Sequence, residues 1–239
     1  MSLLEILFEN DDLVAVNKPA GLLSVPDRFD HSLPSLKSML REQYGEIFVV
    51  HRLDRETSGV ILFAKTAQTH KFLSMLFEER DVEKEYIGLV LGTPSPTEGT
   101  IDEPLAPDPR NPGKMWVHAK GKHAVTHYKV LEAFGPWALV SFTIETGRTH
   151  QIRVHLQQLG HTLVGDTLYG DGKGVFLSQV KKKKFKLSRD TEEERPLLGR
   201  LALHAHRITF KDIHGTAHSI EAPLQRDMEV TVKQLRKWS

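Results

Sequence analysis

The chain has no cysteine, which removes disulfides, thiolate metal sites, iron–sulfur clusters and cysteine nucleophiles by inventory alone. A reducing cytoplasm suits such a chain. Long apolar runs are also missing. The longest, such as Val60 to Ala64, fall far short of the ~20 residues a membrane helix needs. The N-terminal stretch MSLLEILFENDDL lacks a basic start, a long apolar segment and a small-residue cleavage site, so neither a secretion signal nor a membrane association is expected. Charge of one sign is lacking too: 32 Lys and Arg stand against 31 Asp and Glu, and net charge therefore gives no hint of a polyanionic partner.

What is present suits one soluble globular domain over residues 1–239, with 39% hydrophobic and 26% charged residues giving a core that needs no cross-links. Charge is uneven locally. Between Pro109 and Leu131 there is no acidic residue, while Arg110, Lys114, Lys120, Lys122 and Lys129 occur with Trp116 and Tyr128. Such a stretch fits phosphates and stacked bases, and equally a solvated β-hairpin. Residues 172–196 carry Lys181 to Lys184, Asp190 and Glu192 to Glu194 and read as a solvated, mobile loop insertion rather than an RNA-binding arm.

Periodicity and punctuation predict strands at Leu3–Phe8, Leu13–Val16, Ile47–Val50, Gly59–Lys65, Tyr86–Leu91, Val125–Ala133, Ala138–Glu145, Leu201–Phe210 and His218–Ala222. Helices are predicted at Pro34–Tyr44, after a Thr66 N-cap, after a Thr149 N-cap with Gly160 behind it, and at Leu224–Lys237. In the third of these Ile152, Leu156 and Leu159 form the apolar stripe, which leaves Arg153 off it. Residues Thr93 to Pro112 read as loop with one short strand at most. Strands and helices mix without strict alternation, so the class is α+β with a mainly antiparallel sheet.

Two segments gather reactive groups. His51 to Gly59, HRLDRETSG, packs charged side chains into a tight connection between apolar strands, where rigid flanks favour function. Its alternative is an ordinary Asx turn with surface charges. Thr146 to His155, TGRTHQIRVH, enters a helix with Arg148 and Arg153 near its start, a place that favours anions. Its alternative is a well-capped helix with a structural arginine. The 13 histidines raise the question of a metal, yet His150 and His155 are five apart rather than four, and His204 and His206 have no obvious acidic partner. No metal is expected, and His51, His150 and His155 read as hydrogen-bonded supports or RNA contacts.

NKPAG (Asn17 to Gly21), HRLDRETSGVILFAKT (His51 to Thr66), KEY (Lys84 to Tyr86), TGRTHQIRVHL (Thr146 to Leu156), GHTLVGDTLYG (Gly160 to Gly170) and LHA (Leu203 to Ala205) resemble, in order, the motifs of RluA-type pseudouridine synthases. The resemblance implies the pseudouridine synthase fold, a central sheet flanked by helices and loops with an RNA-binding active-site cleft. It implies that Asp54 attacks the target nucleotide, that Arg153 pairs with Asp54, and that Tyr86 stacks on the flipped uracil. It further implies that Arg52 enters the RNA where the base has left, and that His51, Thr57, Arg148, His150, Gln151 and Ile152 help to bind substrate. No cofactor is implied, since the isomerisation moves no electrons overall.

The chemistry wants such groups. The N1–C1′ bond must break, the uracil must turn, C5 must join C1′ and the C5 proton must leave. A carboxylate is a reasonable nucleophile for C1′ or for C6, an arginine orients it, and a phenol over the base stacks or sits near C5 as a candidate base. Many relatives begin with a small RNA-binding domain of the S4 type, for which NKPAG at residue 17 leaves no room. The segment Gly21 to Pro26 resembles that of short members acting on 23S rRNA and tRNA anticodon stem-loops, and a monomer is expected. Two rival readings remain: a catalytically silent RNA-binding protein, and a glycosidic hydrolase needing a second carboxyl such as Glu56 or Glu145.

Overall fold

The structure, a computed structural model, describes residues 4–181 and 193–239. In chain order the elements are β1 (Glu5–Glu9), β2 (Leu13–Lys18), α1 (Leu36–Tyr44), β3 (Phe48–Val49), β4 (Ser58–Ala64), α2 (Ala67–Glu79), β5 (Glu83–Leu91), β6 (Glu98–Asp102), β7 (Leu105–Pro107), β8 (Met115–Val117), β9 (Val125–Ala133), β10 (Trp137–Ile144), α3 (Gln151–Gln158), α4 (Leu177–Lys181), β11 (Leu203–Lys211), β12 (Ala217–Glu221) and α5 (Arg226–Trp238). The class is α+β, with mainly antiparallel pairing. The chain packs into two compact units, one of Met1–Tyr86, Thr143–Thr146 and His204–Pro223, the other of Ile87–Phe142, Gly147–Leu203 and Leu224–Ser239. Strand β5 leaves the first unit at Tyr86 and continues in the second.

In the first unit, β2 and β4 are buried along their whole length and pair antiparallel from Leu13↔Ala64 to Lys18↔Gly59. Their apolar residues, with Leu36, Leu40, Leu73 and Phe210, form its core. Asn10 makes the turn that joins β1 to β2 by accepting the N–H groups of Asp12 and Leu13 on its side chain. The Thr66 hydroxyl accepts the Thr69 N–H, which is the cap expected for α2. Leu3 of the first predicted strand lies outside the described residues.

One parallel contact matters for the site. Strand β11 runs parallel to β4, with Ala205 opposite Gly59. Gly59 has φ +114°, and a Cβ there would fall 2.1 Å from the Ala205 carbonyl oxygen. Only glycine satisfies both demands. Gly59→Ala is expected to lower stability by about 2–4 kcal/mol, read as a lower urea midpoint; an unchanged midpoint would show that the two strands separate at little cost.

In the second unit, β10, β9 and β6 are neighbours in the sheet, and β9 and β10 join through Gly135 at φ +73°. The segment expected to be mostly loop holds two strands, β6 and β7, and the latter pairs with β8. Strands of three to five residues broken by proline and glycine leave little periodicity to read. Helix α3 begins at Gln151 behind His150, which adopts the left-handed conformation at φ 56° and makes no side-chain cap. Thr149 is therefore not the cap; the Gln151 side chain takes the Arg148 N–H instead, at 3.0 Å. The flanks of the charged insertion are anchored at three points: Val175 and Leu198 exchange backbone bonds, and with Val180 they sit in the core under α5, while Lys173, Glu193 and Arg195 are exposed. Lys182 to Lys184, Asp190 and Glu192, named above as part of that insertion, lie outside the described residues. Among the described residues no helix is long and apolar enough to cross a membrane.

Candidate active site

Asp54 opens a β-turn in which its carbonyl accepts the Thr57 N–H at 3.1 Å, between β3 and β4. The turn is clamped from beneath by the segment that begins at Lys18. The Ser24 hydroxyl donates to the Leu53 carbonyl at 2.8 Å and accepts the Leu53 N–H at 3.1 Å. Gly21 N–H donates to the Arg55 carbonyl at 2.9 Å, while Arg55 Nε returns a bond to the Gly21 carbonyl at 3.0 Å. Lys18, fully buried, donates from Nζ to the carbonyls of Leu22 (2.8 Å), Pro19 (3.0 Å) and Arg55 (3.0 Å). Residues 53 and 55 are thus both fixed through their backbone, and Asp54 lies between them.

Asp54 and Tyr86 are half-buried. The Tyr86 phenol is pushed above its ordinary range by burial and then by the Asp54 charge, so the carboxylate is an electrostatic neighbour of the ring. Arg52 is exposed. Thr57 is buried, at 2%, and begins the run that becomes β4. His51 Nε2 accepts the Leu62 N–H at 3.0 Å, and its ring stacks on Phe77 with centroids 4.6 Å apart. Burial, with the Lys84 charge second, pushes its pKa down to about 3. The ring is therefore neutral, with its proton on Nδ1.

An unfolded imidazole gains a proton below about pH 6.5, whereas His51 in the fold resists until about pH 3. The neutral ring thus contributes stability that is complete above pH 6.5 and lost as pH falls from 6.5 towards 3. Burial lowers the His155 pKa too, in the same sense. Between pH 7.5 and 5 the fold should lose on the order of 2 kcal/mol from His51, and His51→Gln should flatten that part of a urea-midpoint-against-pH plot. A variant with undiminished acid sensitivity would remove His51 as the cause.

The second cluster lies in the second unit. Arg153, expected off the apolar stripe, is buried at 6% and forms a two-pronged ion pair with Asp166: Nε to Oδ2 and Nη2 to Oδ1, both 2.8 Å. Helix α3 is buried on every side from Gln151 to Leu156, which is why a stripe read from the sequence misplaced it. Burial alone would raise the Asp166 pKa, but the Arg153 bonds and the N–H groups of Tyr169 and Leu168 outweigh it, and the net shift is downward. The Tyr169 ring lies 5.0 Å from the guanidinium carbon, and its hydroxyl meets His150 Nδ1 at 2.8 Å.

Other residues expected here act inside the unit. The Gln151 amide nitrogen donates to the Val125 carbonyl (2.9 Å) and the Thr126 hydroxyl (3.0 Å), and Ile152 is buried at 4%. Arg148 Nε donates to the His123 carbonyl at 3.0 Å. His155 is a satisfied core histidine, between the Thr126 hydroxyl and the Glu103 carbonyl. His204 is another: its ring nitrogens meet the Ser58 hydroxyl (2.9 Å) and the Ala222 carbonyl (3.2 Å). Lys18, Ser24, Asp166 and Tyr169 were not singled out from the sequence. Lys18, Asp166 and Tyr169 stand in quoted motifs, and that was the available signal; which residues they pair with, up to 54 positions away, was not legible.

The family described as RNA pseudouridylate synthase matches residues 12–158, a span that runs through both units. The dual-specificity RNA pseudouridine synthase RluA of Escherichia coli K12 is 37% identical over 223 residues, covering 92% of this chain and 93% of that protein. The ribosomal large subunit pseudouridine synthase D of Zymomonas mobilis is 33% identical over 244 residues, covering 97% and 73%. The solved human RNA pseudouridylate synthase domain containing 4 superposes with TM-score 0.74 at 27% identity, covering 97% of this chain and 93% of its own.

Proposed function

The chain belongs to the RNA pseudouridylate synthase family, an isomerase family that turns uridine into pseudouridine within RNA, and from that membership we propose Asp54 as its nucleophile. The observation that carries this reading is the Asp54 carboxylate itself, fixed on a clamped turn and close enough to the Tyr86 ring to resist its ionisation. The target nucleotide leaves its stack, which costs roughly a few kcal/mol and less in a loop or bulge. Asp54 attacks C1′, or C6 of the ring, as the N1–C1′ bond breaks. The released uracil turns, C5 bonds to C1′ as the carboxylate departs, the C5 proton leaves and N1 regains one. No cofactor enters this balance.

Tyr86 takes the stacking role, because burial and the neighbouring carboxylate both keep its phenol protonated. Arg153 is the cation that steadies Asp54, on the strength of the family motif. Exposed Arg52 enters the vacated space in the RNA, and Arg148 supports the phosphate path; His51, Thr57, His150, Gln151 and Ile152 hold the binding elements from within. The chain acts as one catalytic domain, monomeric and cytoplasmic. The substrate is 23S rRNA, a tRNA anticodon stem-loop or both, in keeping with the dual-specificity relative.

Mapping pseudouridines in rRNA and tRNA from cells lacking the protein tests this. Specific sites should vanish and return with the wild-type gene; a full set of sites in the deleted strain would remove the assignment. Release of free uracil would favour the hydrolase, but Glu56 is an exposed partner of Arg55 at 3.9 Å, unlike the shielded acid that such chemistry needs.

A further inference from the structure

Two lysines are buried among the described residues, Lys18 and Lys84. The first ends on three carbonyls; the second ends on none. Lys84, the second residue of β5, is 7% exposed and holds Nζ 5.8 Å from the centre of the Phe77 ring. Among the described residues none accepts a hydrogen bond from its ammonium or forms an ion pair with it. The neighbouring Glu85 carboxylate is engaged by Arg207. The charge that Lys84 does feel is a like one: burial, and then Arg80 at the end of α2, hold its pKa below the ordinary lysine range.

A covered cation without a partner lowers stability rather than raising it. Lysines commonly escape that cost by laying the stem on apolar surface with the head in water, and the contact with Phe77 is of that kind. The head of Lys84 is poorly hydrated all the same, which is what its lowered pKa reports. Nor is it sealed in. Among the described residues the fully buried side-chain atom that lacks a partner is Asn17 Oδ1, so the Lys84 ammonium keeps part of the small surface its residue shows.

Its place on the sheet points to a ligand. Residues two apart on a strand share a face at a spacing of ~7 Å, so Lys84 and Tyr86 stand side by side on β5. The connection that carries Asp54 runs along them, for the Lys84 charge acts on His51 and the Asp54 charge acts on Tyr86. All these residues belong to the first unit.

We propose that Lys84 is a phosphate anchor for the RNA: its ammonium takes the backbone phosphate next to the nucleotide whose base lies on Tyr86, and that anion is the partner no protein group supplies. A lysine meets a phosphate as a point charge, without the fixed fork of an arginine. A phosphate there also relieves the repulsion between Lys84 and Arg80. The inference rests on the reading of Tyr86 as the stacking residue.

Lys84→Met tests it, since methionine keeps an apolar stem on Phe77 and removes the charge. The variant should unfold at the same urea concentration as wild type or a higher one, because an uncompensated cation is gone. Its affinity for labelled tRNA and rRNA fragments should fall about 5- to 20-fold near physiological salt. The slope of log affinity against log salt should flatten by about 0.7–0.9, the release of one counter-ion. Saturating RNA should bring the single-turnover rate back to within about threefold of wild type. Lys65→Met is the control: that ammonium is already held by Glu9 and the Asn10 carbonyl, so the variant should lose stability with its slope unmoved. An unmoved slope in Lys84→Met overturns the proposal, and so does equal flattening in Lys65→Met, which would make the effect one of net charge. A Lys84→Met protein that fails to fold, or unfolds at clearly lower urea, overturns it too, because the ammonium would then serve the fold. Wild-type protein that makes no pseudouridine, with the slope still flattened in Lys84→Met, would remove the proposed function and leave the phosphate contact standing.

Discussion

Asp54→Asn should fold like wild type, bind substrate RNA with little loss, and form no measurable pseudouridine. The expected fall in single-turnover rate is at least about 10³-fold, as for other enzymes stripped of their nucleophile. Folding should survive because the turn is held by its backbone: Leu53 through Ser24, Arg55 through Gly21 and Lys18, and the Asp54 carbonyl through Thr57. None of these bonds uses the Asp54 carboxylate. A small secondary signature is expected at Tyr86, whose phenol pKa should fall towards its ordinary value once the neighbouring charge is gone. Mass-spectrometric detection of pseudouridine at more than a few per cent of the wild-type rate would remove Asp54 from the reaction.

Lys18→Met should be the most damaging substitution outside the reacting groups. Methionine fills much the same volume and suits an apolar surrounding, so the loss measured is that of the ammonium. Three carbonyls, those of Pro19, Leu22 and Arg55, would lose a charged donor in a buried place. Charge-assisted bonds contribute about 1.5–3 kcal/mol each and do not add fully, so a fall of about 3–5 kcal/mol is expected in urea denaturation. Turnover of the remaining folded protein should drop as well, since the Arg55 carbonyl tethers the turn that carries Asp54. A stable Lys18→Met protein with wild-type turnover would show that Gly21 and Ser24 hold the turn without help.

These outcomes bear on what a single sequence reveals. Helix α2 was legible because Thr66 caps it and an apolar stripe follows; β9 was legible because its residues alternate. The family was legible as well, through the order of the motifs. The environment of Arg153 was not, because α3 is buried all round and its stripe is no guide to which face meets solvent. The cap of α3 was misread because Thr149 has the right chemistry, while His150 takes a backbone conformation that no residue preference announces. Lys18 passed unnoticed because a lysine beside a proline reads as a surface turn; only the fold shows three carbonyls converging on it. Short strands among prolines at 98–117 left no period to detect.

The Arg55 carbonyl, which receives the Gly21 amide and the Lys18 ammonium, belongs to a residue whose side chain is largely outside, at 56% exposure. Most of the anchorage is thus carried by backbone atoms of the short bend, and the display by its side chains. Outward-facing groups at 52 and 56 can be exchanged to suit another RNA while the backbone at 54 stays where it is, whereas Arg55 also ties the bend through its Nε. Insertion or deletion of one residue there has no such latitude, because it would slide every anchored amide out of register at once.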